Sequence, residues 1–407
     1  MLQRLAVGVR MFSLARKRGD GDGKSGWNSR GLGAVPLICL TGVVALTGCG
    51  KFFPPLTSGG GGGGTNSGDY LYVGNQGTNP LTIAGFSIAS AALSDISGSP
   101  FSVSPEPTAI AVTPNNAYLY MGSAGGGIYV YTIGSNGALS IGNSGAAVET
   151  GVEPSVLRVD STGTYLLGAD SLSGEAYVFQ IGSGGVLTAL STSVVTLNTS
   201  TPANDLEITP SDDYVYVSCG TAGIYTLSFD SSIGALAQVN SVLTPKQNGD
   251  ADFGMAIAPS GNYLFAAETG IGAVRVFSIS ATNATLSEVT GSPYKTATGP
   301  NGVLVDSTGS YVYVTNRTEG TISGFTISST GTLTAITGSP FATGTTSGTL
   351  PTQMVEDNSK TYLAVVNAGG GPDLELFTIG STGALTKFTT ATTGTDPTEA
   401  TSIAATH

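Results

Sequence analysis

From residue 69 onward the chain alternates short apolar and polar stretches, and the same order returns seven times. A Tyr followed by three mostly apolar residues stands at Tyr70 (YLYV), Tyr118 (YLYM), Tyr165 (YLLG), Tyr214 (YVYV), Tyr263 (YLFA), Tyr311 (YVYV) and Tyr362 (YLAV), in steps of 47 to 51 residues. Six residues earlier lies the last apolar residue of a preceding strand: Val112, Val159, Ile208, Ile257 and Val305, with Glu356 in the seventh copy. Two residues further back stand Ile110, Leu157, Leu206, Met255, Val303 and Met354. A period of two is the mark of a half-buried strand. A polar turn such as Asp160-Ser-Thr-Gly163 leads into the Tyr strand, and a third strand follows, as in AYVFQI (176–181) and AVRVFSI (273–279). A glycine turn then leads to Leu, as in Gly185-Val-Leu187, and to a more polar fourth strand, which ends in Gly-Ser-Pro-aromatic at 98–101, 291–294 and 338–341. Four strands in about 48 residues is the period of a propeller blade.

The two ends of the repeat complement each other. No strand precedes Tyr70, where a glycine run stands instead, and a surplus strand start, Asp396-Pro-Thr-Glu-Ala-Thr-Ser-Ile-Ala404, follows the seventh copy. The pattern therefore predicts an all-β, seven-bladed β-propeller of four-stranded blades over residues 69–407, with the C-terminal strand completing blade 1. Ring closure also removes long open sheet edges.

Ahead of the repeats the pattern changes. Residues 31–48, GLGAVPLICLTGVVALTG, are uncharged and follow a basic stretch, which is the arrangement of an export signal. It ends Leu46-Thr47-Gly48-Cys49, which resembles the bacterial lipobox. That resemblance implies a signal peptide over 1–48, lipidation of Cys49, and a protein anchored to a membrane of the bacterial cell envelope. Several acyl chains, at about 0.8 kcal/mol per buried methylene, give durable attachment. Residues 49–68, with six consecutive glycines at 59–64, read as a flexible linker.

Composition narrows the chemistry. The chain has 60 Gly in 407 residues, 10% charged residues and a net charge of −12. Eight of the 15 basic residues lie in residues 1–51, so removal of 1–48 leaves a chain with eight basic and 25 acidic residues, a net charge of −17. Nucleic-acid binders carry a basic face, so nucleic acid is excluded as a partner, and an anionic sugar phosphate is disfavoured. The only Trp, Trp27, precedes Cys49, and the only His is His407. Cys219 is the one cysteine of the repeat region, so no intramolecular disulfide is available there. It reads as a small buried residue. No sequential Ca²⁺ loop or zinc spacing appears, and no cofactor or metal is predicted. The chain is expected to be a monomer.

The passages Pro154-SVLRVDSTGTYLLGAD and Gly299-PNGVLVDSTGSYVYVTN resemble the lactonase-type seven-bladed propellers, the family that includes bacterial 6-phosphogluconolactonases. Tyr313-Val-Thr-Asn316 also resembles the YVTN-type propellers of surface proteins. The resemblance covers about residues 69–407 and implies a lactone-hydrolysing activity. In that family a His commonly follows the Pro of an innermost strand. Here those positions hold Thr108, Ser155, Ala203, Asn301, Thr352 and Thr398, so a general base that titrates near neutral pH has to come from elsewhere.

Innermost strands line the channel of a propeller, and two of them place charge at the same register, Arg158 in blade 3 and Glu207 in blade 4. Neighbouring blades stand side by side, so these two face each other across a blade boundary. Two uses follow: a carboxylate acid or base beside a cation that stabilises an oxyanion, or an ion pair that joins two blades. Asp205 shares a strand face with Glu207, because residues i and i+2 point the same way. With Asn204, Asp252, Asn301 and Gln353 it forms the candidate set for binding substrate. The sequence thus supports an exported hydrolase of a neutral lactone or sugar-derived ester. The alternative is a non-catalytic propeller that presents its face to an envelope protein or glycan.

Overall fold

The computed structural model describes residues 68–407 apart from 78–79, 90–91, 198–200, 243–251, 345–347 and 395–399. The signal, Cys49 and the glycine linker lie outside the described residues. Seven antiparallel sheets are present. Blades 2 to 7 begin with innermost strands Pro107–Val112, Pro154–Val159, Asp205–Ile208, Asp252–Ile257, Pro300–Val305 and Pro351–Glu356. The seven tyrosines open the second strands.

Blade 1 is completed from the far end of the chain. Ala400–Ala405 pairs antiparallel with Tyr70–Asn75, from Leu71 opposite Ala405 to Asn75 opposite Ala400. The Thr406 hydroxyl locks the seam: it donates to the Gly68 carbonyl at 2.7 Å and accepts from the Tyr70 N–H at 2.9 Å. In blades 1, 5 and 6 the Gly-Ser-Pro-aromatic sequence interrupts the fourth strand. Phe101–Ser102, Tyr294–Lys295 and Phe341–Ala342 resume as short segments on the same third strand.

The core lies between blades. Each buried apolar cluster spans one boundary; one joins Leu71 and Val73 of blade 1 to Leu374 and Leu376 of blade 7. Another joins Val156 and Leu167 of blade 3 to Leu206 and Val217 of blade 4. Cys219 is buried in the second of these, as its residue type suggested. Polar contacts repeat across the boundaries too. The buried Tyr72, Tyr120, Tyr216 and Tyr313 hydroxyls donate to the carbonyls of Gly137, Gly185, Ala284 and Gly383 in the next blade, at 2.7 to 2.9 Å. The turn glycines are required by the same packing. At Gly331, with φ +77°, a Cβ would lie 2.5 Å from the Tyr263 ring. The polar turns have their own reason: Asp160, Asp306 and Asp357 each accept the N–H of the following Tyr through Oδ1 at 2.6 Å.

The turn of blade 7 meets Asp69 beside the seam. The Asn358 N–H donates to Asp69 Oδ1 at 3.2 Å. Burial first, then the neighbouring Asp357 carboxyl, push the Asp69 carboxyl up from 3.8 to about 6. A folded value above the unfolded one means that stability from this group is full below about pH 4. It is lost as pH rises through about 6. Asp69→Asn keeps the Oδ1 acceptor and removes the charge. It is expected to make the fall in Tm between pH 4 and pH 7 shallower and to raise Tm at pH 8. An unchanged pH profile in thermal unfolding would refute this account of the seam.

Candidate functional site

The seven innermost strands enclose a channel cavity of about 790 Å³, to which every blade contributes. That volume suits a small organic ligand. The strands descend in register, so the channel has levels. One level is the set of residues opposite the second residue after each repeat Tyr: Ala404 opposite Tyr72, Ala111 opposite Tyr120, Arg158 opposite Leu167 and Glu207 opposite Tyr216. Ala256 opposite Phe265, Leu304 opposite Tyr313 and Val355 opposite Ala364 complete it. All seven line the cavity. At this level charge is confined to blades 3 and 4.

Arg158 bridges these two blades. Its Nη2 lies 2.9 Å from Glu207 Oε1 and 3.0 Å from Asp205 Oδ1, and its Nε donates to Glu207 Oε1 at 3.3 Å. Nη1 donates to the Leu157 carbonyl at 3.2 Å. Asp205 is held from the other side: Oδ1 accepts the Leu206 N–H at 2.9 Å and Oδ2 the Met255 N–H of blade 5 at 2.8 Å. The sequence had placed Asp205 beside Glu207 on one face. The structure adds that both carboxylates converge on one guanidinium.

Burial sets the electrostatics of the cluster. It pushes the Glu207 carboxyl up from 4.5 to about 7, with the Asp205 charge raising it and Arg158 pulling it down. Burial also raises Asp205, against Arg158 and the two backbone N–H groups. The guanidinium stays cationic, because the two carboxylates outweigh the cost of its burial. The Arg158 side chain keeps 36% exposure and Glu207 keeps 21%, so both remain open to the channel. A carboxyl poised near neutrality beside a cation can exchange a proton with a bound molecule and hold developing negative charge.

The other predicted site residues divide. Asn204, Asn301 and Gln353 line the same cavity. Gln353 Oε1 accepts the Ile403 N–H at 3.3 Å and so also ties blade 7 to blade 1. Asp252 opens the innermost strand of blade 5, opposite Glu268, and its side chain lies outside the described residues. The structure brings in residues that the repeat pattern did not single out. Phe253, Lys360 and His407 line the cavity, and burial lowers the His407 imidazole below its usual range. Only the three-dimensional path of the chain places them there.

The positions after the strand prolines have a structural use. The Thr108 hydroxyl donates to the Pro154 carbonyl at 2.5 Å, and the Ser155 hydroxyl to the Ala203 carbonyl at 2.7 Å. Thr352 donates to the Ala400 carbonyl at 3.4 Å. Each bond crosses to the next blade. Among the described residues no group of three or more His, Cys, Asp or Glu side chains forms a metal-binding cluster.

Seven four-stranded blades around a ligand-sized channel, with one charged cluster in its wall, define a propeller of the lactonase type. The model of the family described as "Lactonase, 7-bladed beta-propeller" matches residues 70–401, and the chain belongs to that family. Among solved structures, a protein from Lactobacillus plantarum is similar at TM-score 0.66 and 18% identity, over 84% of this chain and 100% of that one. A putative 6-phosphogluconolactonase from Bacteroides fragilis is similar at TM-score 0.65 and 18% identity, over 84% and 99%. The periplasmic gluconolactonase of Pseudomonas aeruginosa is similar at TM-score 0.62 and 14% identity, over 84% and 99%. At these identities the likeness is one of fold. No curated protein matches the sequence.

Proposed function

We propose that this chain is an exported, lipid-anchored hydrolase that opens a neutral lactone in its channel. The observation that carries this reading is the Glu207 carboxyl, raised to about 7 and in contact with the Arg158 guanidinium in a ligand-sized cavity. Glu207 as carboxylate takes a proton from water, whose oxygen bonds to the lactone carbonyl carbon. Arg158 stabilises the oxyanion so formed. Collapse of the tetrahedral intermediate breaks the ring C–O bond, and the leaving alkoxide takes the proton back from Glu207, giving a hydroxy acid. Asp205 holds Arg158 in place throughout. Asn204, Asp205, Asn301 and Gln353 line the channel two or three residues before the Glu207 level, where they would meet one end of the ligand.

The test is hydrolysis of δ-valerolactone by the full chain in detergent. The base form of Glu207 is the active one, so kcat/KM is expected to rise with pH through a limb near 7. A flat profile between pH 5.5 and 8.5 would remove Glu207 from the base role. The anchoring reading rests on Leu46-Thr47-Gly48-Cys49. Cys49→Ser is expected to block incorporation of labelled palmitate in a bacterial host. Undiminished labelling would overturn it.

A second reading has its own support. Arg158 is bonded to two carboxylates, and a saturated ion pair is also what joins two blades in a non-catalytic binding propeller. Absence of turnover with wild-type stability lost in Glu207→Gln would favour that reading.

A further inference from the structure

We infer that the ligand of this channel is a neutral lactone bearing an alkyl or aryl substituent, not a polyhydroxylated sugar lactone; as a substrate assignment this rests on the hydrolase reading. The argument comes from the channel level that contains Arg158 and Glu207. Its other five positions are Ala111, Ala256, Leu304, Val355 and Ala404, and none has a hydrogen-bonding side chain. Leu304 and Val355, of blades 6 and 7, are only half-buried, so their apolar surface faces the cavity. A lactone with its carbonyl at Arg158 and Glu207 therefore turns its ring substituents towards an aliphatic wall. A hydroxyl turned to that wall gains no side-chain hydrogen bond from it, the polar lining residues Asn204, Asn301 and Gln353 standing nearer the strand starts, whereas a methylene gains burial. Charge bears separately on the anionic sugar derivatives. The cavity is lined by Asp160, Asp205, Glu207 and Glu356 against Arg158 and Lys360, a field that repels anionic sugar derivatives.

The experiment separates the ligand class from the reaction. Binding of δ-octalactone and of glucono-δ-lactone, which are similar in size, is measured by calorimetry on the full-length Glu207→Gln protein, where turnover is suppressed. Hydrolysis of both is measured on the wild type. The octalactone is expected to bind at least about 10-fold more tightly, the scale of one or two well-buried methylenes. Val355→Thr, which keeps the side-chain shape and adds a hydroxyl, is expected to narrow that ratio. Leu304→Asn provides a second, more polar change. Tighter octalactone binding without wild-type turnover would sustain the ligand class and defeat the hydrolase reading. Equal or tighter binding of the gluconolactone would overturn the ligand class, whatever the turnover, and so would failure of both lactones to bind.

Discussion

Glu207→Gln is expected to lower kcat for lactone opening by roughly 10²- to 10⁴-fold, the usual contribution of a positioned acid–base group, with Tm at pH 8 unchanged or slightly raised. The two halves of this expectation have one cause. Burial raises the Glu207 carboxyl from 4.5 to about 7. The folded protein thus favours the neutral form, and stability from this group falls as pH rises from about 4.5 through 7. Glutamine imitates that neutral form, keeps an oxygen for Arg158, and leaves the Arg158–Asp205 pair at 3.0 Å intact. It cannot accept a proton from water. If Glu207 served only to join blades 3 and 4, the same change would lower Tm and leave turnover alone. Activity and thermal unfolding measured on one preparation decide between these outcomes, and unchanged kcat would end the catalytic assignment.

The largest loss of stability is expected far from the channel, in the third strand of blade 5. Arg275 is 3% exposed and Glu268 fully buried. The Arg275 Nε and Nη2 both bond the Glu268 carboxylate, the latter at 3.1 Å, and Nη1 reaches Glu288 Oε1 at 2.6 Å. Arg275→Ala leaves the Glu268 charge buried without its guanidinium, which costs about 3–5 kcal/mol. For a domain of this size that is a fall in Tm of roughly 5 °C. Glu288 keeps 31% exposure and can turn to water. The double change Arg275→Met with Glu268→Leu removes both charges and is expected to recover most of the loss. Thermal unfolding of the single and double variants checks this. An Arg275→Ala protein as stable as wild type would show that the pair contributes nothing net.

These two residues illustrate different degrees of legibility. Glu207 and Arg158 stood out because a strict repeat makes register readable: each lay one position before the last apolar residue of its strand. Sharing a level in neighbouring blades then placed them within reach. Arg275 and Glu268 stood at the ends and middles of other strands, where no counterpart in the neighbouring copies signalled a pair. Their contact depends on the pairing register of two adjacent strands, which sets Arg275 opposite Ala266 and Glu268 opposite Ala273, a diagonal pair. Asp205 was legible as a partner of Glu207 but not as a second acceptor for Arg158. That bond needs Arg158 Nη2 to lie between Glu207 Oε1 and Asp205 Oδ1, at 2.9 and 3.0 Å, which register alone does not specify.

Blade number, strand order and closure by the C-terminal strand all followed from periodicity, because the apolar alternation repeats with the same phase in every copy. A repeat of that kind has few ways to bury its faces except against its neighbours. The turn glycines and the first tyrosines were visible as features, but their dependence on each other was not. Gly331 meets Tyr263 of the preceding blade, 68 positions earlier, and only the packing of blade on blade brings the two together. The same holds for the channel. Sequence register put two charges and the apolar Ala111, Ala256, Leu304 and Val355 on one level, whereas tertiary structure added Ala404 of the closing strand and brought Arg158 within 2.9 Å of Glu207. Burial in the folded channel, with the Asp205 charge added and Arg158 opposing, moves the Glu207 carboxyl up to about 7.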